Sequence, residues 1–120
     1  MMRLTSVCLV LFAALISLCT PVDAQAHSVS LTWTASTDTV AGYYIYRSAG
    51  PCPTAGTSGF TKITPTAVTG TAYTDSTVAP GAYCYYATSV LNGVESVPSS
   101  LVPAVILPAA PTALSVTGTN

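Results

Sequence analysis

The sequence predicts a small all-β protein built from antiparallel strands, and three observations support this fold class. Short runs of residues alternate between apolar and polar side chains, as strands with one buried face do. Clusters of Gly, Pro, Asn and Asp separate these runs. Beyond residue 24 the chain is rich in Thr, Ser, Gly, Pro and Tyr, whereas good helix formers are scarce. Short strands joined by such turns are typical of a two-layer sandwich.

Two strands are predicted before the first long loop. Residues 28–34 alternate strictly, which places Trp33 on the buried face. Residues 40–48 resume the strand pattern, with Tyr43 and Ile45 facing the core. The opposite face of this second strand carries two further tyrosines. The stretch that follows is rich in Gly and Pro and is therefore expected to be a loop.

The second half of the chain predicts the rest of the sandwich. Four further strands show the β pattern, and they cover residues 60–64, 71–75, 82–91 and 94–107. Asn92 and Gly93 both tolerate a positive φ, so we expect them to form a primed hairpin turn. Pro98 and Pro103 interrupt the last strand. Because Pro lacks an N–H group, they favour an edge position for it.

Residues 1–24 have the features of a secretory signal peptide. Arg3 precedes an apolar run at residues 7–18, and small residues suit cleavage near Gln25 or His27. The apolar run is shorter than the roughly 20 residues of a membrane span. We therefore expect no membrane span in the mature chain and a secreted, extracellular or periplasmic location.

Cys52 and Cys84 are the two cysteines that remain once the signal peptide is removed. An even pair in an oxidising compartment predicts a disulfide. A loop of that length would contribute on the order of 3–4 kcal/mol to stability. A thiol redox pair or a metal site is the alternative, but the spacing does not favour it, and the only histidine, His27, lies at the expected new terminus. The sequence thus predicts no metal site and no cofactor.

Charged side chains are few after the signal peptide, and they are Arg47, Lys62, Asp38, Asp75 and Glu95. So small a charge excludes nucleic acid and anionic membrane surfaces as partners, because both require clustered Lys and Arg. Neither a carboxylate pair nor a nucleophile with a base is recognisable, so we expect no enzyme activity. Asp75 is predicted to stabilise a turn, and Arg47 to pair with Glu95 across the sheet.

The residues between Ser28 and about Leu107 resemble the bacterial fibronectin type III domain. The matching segments are Ser-Leu-Thr-Trp-Thr, Val-Ala-Gly-Tyr-Tyr-Ile-Tyr-Arg, Phe-Thr-Lys-Ile, Thr-Ala-Tyr-Thr-Asp, Tyr-Cys-Tyr-Tyr-Ala-Thr-Ser-Val and Asn-Gly-Val-Glu-Ser. The resemblance implies a seven-strand-type antiparallel sandwich over residues 25–107, with Tyr83 in the tyrosine-corner position. It also implies core side chains at Trp33, Tyr43, Ile45, Tyr73 and Tyr83.

The same resemblance implies an arrangement for the outer face of the sheet formed by strands C, F and G. Cys84 would face outward beneath the loop that carries Cys52, so the disulfide would tie this loop to strand F. Tyr44, Tyr46 and Tyr86 would cluster beside it as a candidate binding face. Exposed tyrosines suit stacking on sugars or contact with a protein. Ordinary cross-strand pairing that shields the disulfide is the alternative.

One departure from the family pattern concerns strand A. Strand B begins almost at the expected cleavage site, so strand A is missing at the N-terminus. At the other end, residues 108–120 form a Pro-rich linker and a strand-like tail in which Leu114 and Val116 alternate with polar residues. The tail could begin a further domain or be a loose extension, or it could return along its own strand B. It could also pair with strand B of a neighbouring copy and build a filament.

We expect a secreted, non-catalytic module that acts in protein interaction, in adhesion or as a structural spacer at the cell surface. One alternative is a self-assembling fibre subunit that uses the C-terminal strand. Another is a carbohydrate-binding accessory module that uses the tyrosines. The expected partners are accordingly a protein or polysaccharide at the cell surface, or a second copy of the chain.

Overall fold

A computed structural model describes residues 26–119, and the signal peptide expected at residues 1–24 lies outside this range. The regular structure of the described residues is all β, as predicted. It comprises β1 (His27–Thr32), β2 (Gly42–Ala49), β3 (Thr61–Lys62), β4 (Ala72–Val78), β5 (Gly81–Leu91), β6 (Val94–Glu95) and β7 (Val102–Ile106). Residues 26–119 include no helix with the length and hydropathy that crossing a membrane requires.

The strands form two antiparallel sheets. The smaller sheet consists of β1 and β4. The larger sheet has the order β3-β2-β5-β6, and β7 also pairs with β5. The longest strand, β5, lies at the centre of the larger sheet and pairs with β2 from Gly42 to Ala49. The antiparallel two-sheet architecture agrees with the predicted sandwich.

Buried apolar and aromatic side chains lie on both faces of the larger sheet. Tyr43, Ile45 and Tyr85 face the smaller sheet, where Val78 is also buried, whereas Cys84 and Val90 are buried on the opposite face of β5. Tyr85 was missed by the sequence analysis, although it shares a strand face with Tyr83. The other three expected core residues, Trp33, Tyr73 and Tyr83, are only half-buried. Trp33 follows the end of β1 rather than lying within the strand.

Gly42 allows the chain to pass close to β2. A Cβ atom at this position would lie 2.7 Å from the carbonyl oxygen of Val68, so a larger residue would push the two segments apart. The close approach lets Tyr43 and Val68 exchange backbone hydrogen bonds of 2.9 and 2.8 Å. The segment before β4 is thereby fixed against the larger sheet.

Three of the predicted strands differ from the observed ones by more than two residues in extent or are divided. The strand expected at residues 60–64 is reduced to β3, because the hydroxyl of Thr64 turns inward and accepts the N–H of Ile45 at 2.9 Å. The strand expected at residues 71–75 continues to Val78. The return strand splits into β6 and β7, and the residues between them keep only isolated hydrogen bonds to β5. Asn92 and Gly93 have φ of 51° and 77°, as the predicted primed turn requires.

A buried charged cluster joins the two sheets, and Asp75 of β4 lies at its centre. Arg47 donates to Asp75 Oδ2 at 2.7 Å, and the hydroxyl of Tyr85 donates to the same oxygen at 2.9 Å. Thr77 donates to Oδ1 through both its N–H and its hydroxyl, at 3.1 and 2.7 Å. The Asp75 side chain is 1% exposed. Its carboxylate thus connects β4 to β2 and β5.

These contacts correct two predictions. Asp75 does not stabilise a turn, because it lies within β4 and points between the sheets. Arg47 does not pair with Glu95. It shares the inward face of β2 with Tyr43 and Ile45, which directs its guanidinium toward β4 and the Asp75 carboxylate.

The hydrogen bonds decide the protonation state of the cluster. Burial favours the neutral acid, but the hydrogen bonds from Thr77, Arg47 and Tyr85 outweigh it and hold the pKa of Asp75 below its ordinary value. Burial, followed by the hydrogen bond to Asp75, raises the pKa of Tyr85. At neutral pH the cluster therefore contains an anionic carboxylate and a protonated phenol that donates to it.

Asp75→Asn should destabilise the sandwich, because it leaves the Arg47 guanidinium without its counter-ion. We expect a loss of about 2–4 kcal/mol, somewhat below the cost of breaking a fully buried pair because Arg47 is partly exposed. Urea denaturation followed by circular dichroism measures the loss. Asp38→Asn, at an exposed carboxylate, is the matched control and should change stability by less than about 0.5 kcal/mol. Equal losses in both variants would contradict a special role for Asp75.

Acid should weaken the wild-type protein more than the Asp75→Asn variant. Since the folded pKa of Asp75 is lowered, its contribution is complete above the unfolded value of about 3.9 and is lost as pH falls through the folded pKa. The free energy of unfolding should therefore drop more steeply below about pH 4 in the wild type. Urea denaturation at a series of pH values tests this, and parallel profiles for the two proteins would refute it.

Candidate functional site

Two surfaces of the sandwich bring predicted site residues together. The first is the outer face of the larger sheet, which we call the tyrosine face and define by Tyr44, Tyr46, Tyr86 and their neighbours. The second is the side of the sandwich between β1 and β7, which we call the open side. On the tyrosine face the side chains contact one another, whereas no strand among the described residues covers the open side.

The predicted disulfide between Cys52 and Cys84 is present and lies under the tyrosine face. Cys84 is on the face of β5 opposite to Tyr85, and its exposure is 0% because the loop between β2 and β3 covers it. The disulfide spans a sequence separation of 32 and fastens this loop to the central strand. Phe60, near the end of the loop, lies against Tyr86 with ring centroids 4.8 Å apart.

The tyrosine face gathers all three tyrosines that the sequence analysis proposed. Tyr46 and Tyr86 stack with centroids 4.6 Å apart and an interplanar angle of 10°. The ammonium of Lys62 lies 3.5 Å from the centroid of the Tyr44 ring. The sequence analysis missed Lys62 and Phe60 as members of this cluster. Stacking and cation–π contact within the chain therefore occupy ring faces that a sugar would need.

Glu95 of β6 connects the strands at the edge of the tyrosine face through hydrogen bonds. Its carboxylate accepts the hydroxyls of Tyr46 at 2.6 Å and Thr88 at 2.7 Å, and Lys62 lies 3.5 Å away. The hydrogen bonds from Tyr46 and Thr88 lower the pKa of Glu95, and burial together with Glu95 raises the pKa of Tyr46. This arrangement is cross-strand pairing between β2, β3, β5 and β6.

The open side differs from the tyrosine face, because no described strand covers its apolar side chains. Among residues 26–119, β1 has β4 as its only strand neighbour. A groove of about 350 Å³ opens between the β1 side, at Leu31 and Trp33, and the β7 side, at Val102. Ile45 and Tyr85 of the larger sheet also line it. The groove thus reaches from the surface to the core.

Trp33 marks the centre of the open side. It lines the main groove and also an adjoining one of about 180 Å³. Its ring meets Tyr43 edge to face, with centroids 5.4 Å apart, while its backbone N–H donates to Thr71 at 3.0 Å. The indole N–H is buried and finds no acceptor within the described part of the chain. As the only tryptophan in the sequence, Trp33 is also a specific spectroscopic probe of this groove.

The C-terminal tail lies away from the open side. Residues 107–119 are exposed and form no strand, and the side chains of Leu114 and Val116 are 96% and 80% exposed. The tail therefore does not return along its own β1 in this structure. The apolar face that the sequence analysis assigned to it is left uncovered.

No protein-family model matches this chain, and the search of curated proteins found no match. Within residues 26–119 no three His, Cys, Asp or Glu side chains are grouped so that they could hold a metal ion. The function must accordingly be inferred from the two surfaces.

Removing the disulfide should free the β2–β3 loop and destabilise the fold. For Cys52→Ala with Cys84→Ala we expect a loss on the order of 3–4 kcal/mol, since the unfolded chain regains the entropy of an open loop. Alanine avoids placing an unpaired hydroxyl at the buried position 84. Thermal and urea unfolding measure the effect. An unchanged unfolding midpoint, or reaction of the unreduced wild-type protein with a thiol reagent, would contradict the prediction.

Proposed function

We propose that this protein is an exported, non-catalytic module of the fibronectin type III kind that acts by binding proteins at the cell surface. The observation that carries the proposal is the open side, where an apolar groove lies beside a free strand edge. Exposed strand edges bind other chains by strand addition, with the backbone giving affinity and side-chain pockets giving specificity.

Strand order and one hydrogen bond support the fibronectin type III assignment. The pairing of β1 with β4, and of β3, β2, β5 and β7 in the other sheet, corresponds to strands B, E and C′, C, F, G of that family. The hydroxyl of Tyr83 accepts the N–H of Ala79 at 3.1 Å across the β4–β5 connection. This contact is of the type found in a tyrosine corner.

The disulfide and the predicted signal peptide support export. Disulfides persist in oxidising compartments and are rare in the cytosol.

The state of the carboxylates supports a non-catalytic role. Asp75 accepts hydrogen bonds from three residues, and Glu95 is held by Tyr46, Thr88 and Lys62. A carboxylate whose lone pairs are engaged in this way is poorly placed to act as a general base.

The difference between the two surfaces favours a protein over a polysaccharide as the partner. On the tyrosine face the rings of Tyr46 and Tyr86 stack on each other, and Lys62 covers Tyr44. On the open side the groove is lined by Leu31, Val102 and one side of Trp33, and no strand of the described chain covers them. Strand addition would bury these groups, whereas a sugar would first have to displace contacts on the tyrosine face.

Photo-crosslinking on intact exporting cells tests the proposed function. A benzophenone amino acid at Ser100, which borders the groove, should form a covalent adduct with a protein that mass spectrometry identifies. The same group at Thr61, exposed on β3 of the larger sheet, is the matched control and should give little adduct. Adducts at neither position, or equal yields at both, would contradict binding through the open side.

A polysaccharide-binding experiment distinguishes the proposed protein-binding role from the carbohydrate-binding alternative. We expect no retention of the protein in gels containing cell-surface polysaccharides. Retention that is lost in the triple variant Tyr44→Ala, Tyr46→Ala and Tyr86→Ala, with folding intact, would replace the proposal by a carbohydrate-binding role.

A further inference from the structure

We infer that residues 112–119 of one chain add as a strand to the free edge of β1 in a second copy and cover the groove of the open side. The inference rests on the proposed function, binding through the open side, and identifies the partner as another molecule of this protein. The acceptor, the donor and the direction of the chain each support it.

The acceptor edge lacks the usual protection against strand addition. Natural edge strands are guarded by Lys, Pro, bulges or covering segments. β1 contains neither Lys nor Pro, and its one irregularity lies between His27 and Val29, at its beginning. By contrast β7, on the other side of the groove, carries Pro103. The free backbone groups of β1 therefore offer a site for one more strand.

The donor segment has the pattern that such a site requires. In residues 112–119, Leu114 and Val116 lie on one face of an extended chain, and Ser115 and Thr117 lie on the other. The segment carries no charge and, after Pro111, no proline. As a strand it would be about 26 Å long at roughly 3.3 Å per residue, enough to run along all of β1, which would be about 20 Å.

The path of the tail favours pairing with β1 of a neighbouring copy over pairing with its own β1. In the larger sheet Ile106 of β7 pairs with Gly81, and in the smaller sheet Val78 pairs with His27. The tail thus leaves the sandwich at the end where β1 begins. To follow its own β1 it would have to reverse and run parallel to it. Pro108 and Pro111 favour an extended path that leads away from the domain instead.

In a second copy stacked head-to-tail beyond this end, the tail would meet β1 from the opposite direction. It would arrive near Trp33, run toward His27 and pair antiparallel. Leu114 and Val116 would then share the inward face with Val29 and Leu31 of the acceptor, because strand alternation keeps apolar residues on one side. Burial of two side chains that are 96% and 80% exposed in the single chain favours this arrangement.

The contact is heterologous, since the donor and acceptor surfaces differ. Every copy that accepts a tail still has its own tail to donate, so copies add head-to-tail. Because each tail leads away from its own domain along the stacking direction, we expect an open filament rather than a closed ring. One contact, between the tail of one copy and β1 of the next, would therefore cover both the open side and the exposed tail.

Assembly of the purified, disulfide-bonded mature chain is the decisive experiment. Light scattering and electron microscopy should show linear polymers that lengthen with protein concentration. Leu114→Asp with Val116→Asp should abolish every species above the monomer, because the charges would enter the groove. Ser115→Asp with Thr117→Asp adds the same charge on the outward face and should still assemble. A monomeric wild type at all concentrations, or equal behaviour of the two variants, would overturn the inference.

Trp33 gives an independent readout of strand insertion. The full-length Leu114→Asp/Val116→Asp variant keeps a free acceptor site but has no competent tail. A synthetic peptide of residues 109–119 should shift its tryptophan emission to shorter wavelength and raise its melting temperature in a saturable manner. The same peptide with aspartate in place of Leu114 and Val116 should do neither. Identical responses to both peptides, or no response to either, would refute insertion at the open side.

A self-complemented variant tests the predicted direction. Joining a copy of residues 109–119 to residue 26 through a short Asn-Gly turn makes a hairpin whose added strand runs antiparallel to β1. This protein should fold as a stable monomer, and filaments from it would contradict the inference. If the wild-type chain remains monomeric while a benzophenone group at its position 100 still crosslinks to a different protein, the inferred strand exchange fails but the proposed function stands. If it crosslinks to nothing, both fail.

Discussion

The carboxylate of Asp75 is the contact on which the sandwich most depends. It lies between two sheets of unequal size and accepts hydrogen bonds from Arg47 of β2 and Tyr85 of β5, while Thr77 completes its coordination. An unpaired charge at 1% exposure would be costly, so the need to pair Asp75 constrains how β4 packs against the larger sheet. The disulfide acts elsewhere, fastening a long loop to the same central strand. A small domain with a limited core is thereby held together by two contacts between segments that are distant in sequence.

The small sheet has a consequence for function. With β4 as the only neighbour of β1 in the described chain, one side of the sandwich carries an apolar groove above the buried side chains of Ile45 and Tyr85. The tyrosine face has the more conspicuous composition, yet its rings and its carboxylate already bind one another. The side chains of the tyrosine face thus already contact one another, whereas the free edge of β1 has no strand partner in the described chain. The free edge of β1 and the apolar groove beside it, rather than the tyrosine content of the other face, are therefore the basis of the binding role that we propose.

Local pattern was sufficient for much of the fold. Alternation located β2 and β5, the Asn92-Gly93 pair gave the hairpin turn, and the parity of the cysteines gave the disulfide. Contacts between distant segments were not predictable in the same way. The expected pairing of Arg47 with Glu95 across the sheet is wrong, although the period of two places Arg47 beside Ile45 on the inward face. The short β3 depends on the hydroxyl of Thr64, and no local signal reveals that contact.

Amide hydrogen exchange as a function of protein concentration tests the central claim, that the free edge of β1 and the exposed tail are two halves of one contact. The account predicts that amides in residues 28–32 and residues 113–118 gain protection together as the concentration rises. It also predicts that the Leu114→Asp/Val116→Asp variant gains none. A tail that exchanges at the rate of an unstructured peptide at every concentration, while the wild-type chain remains folded, would contradict the account.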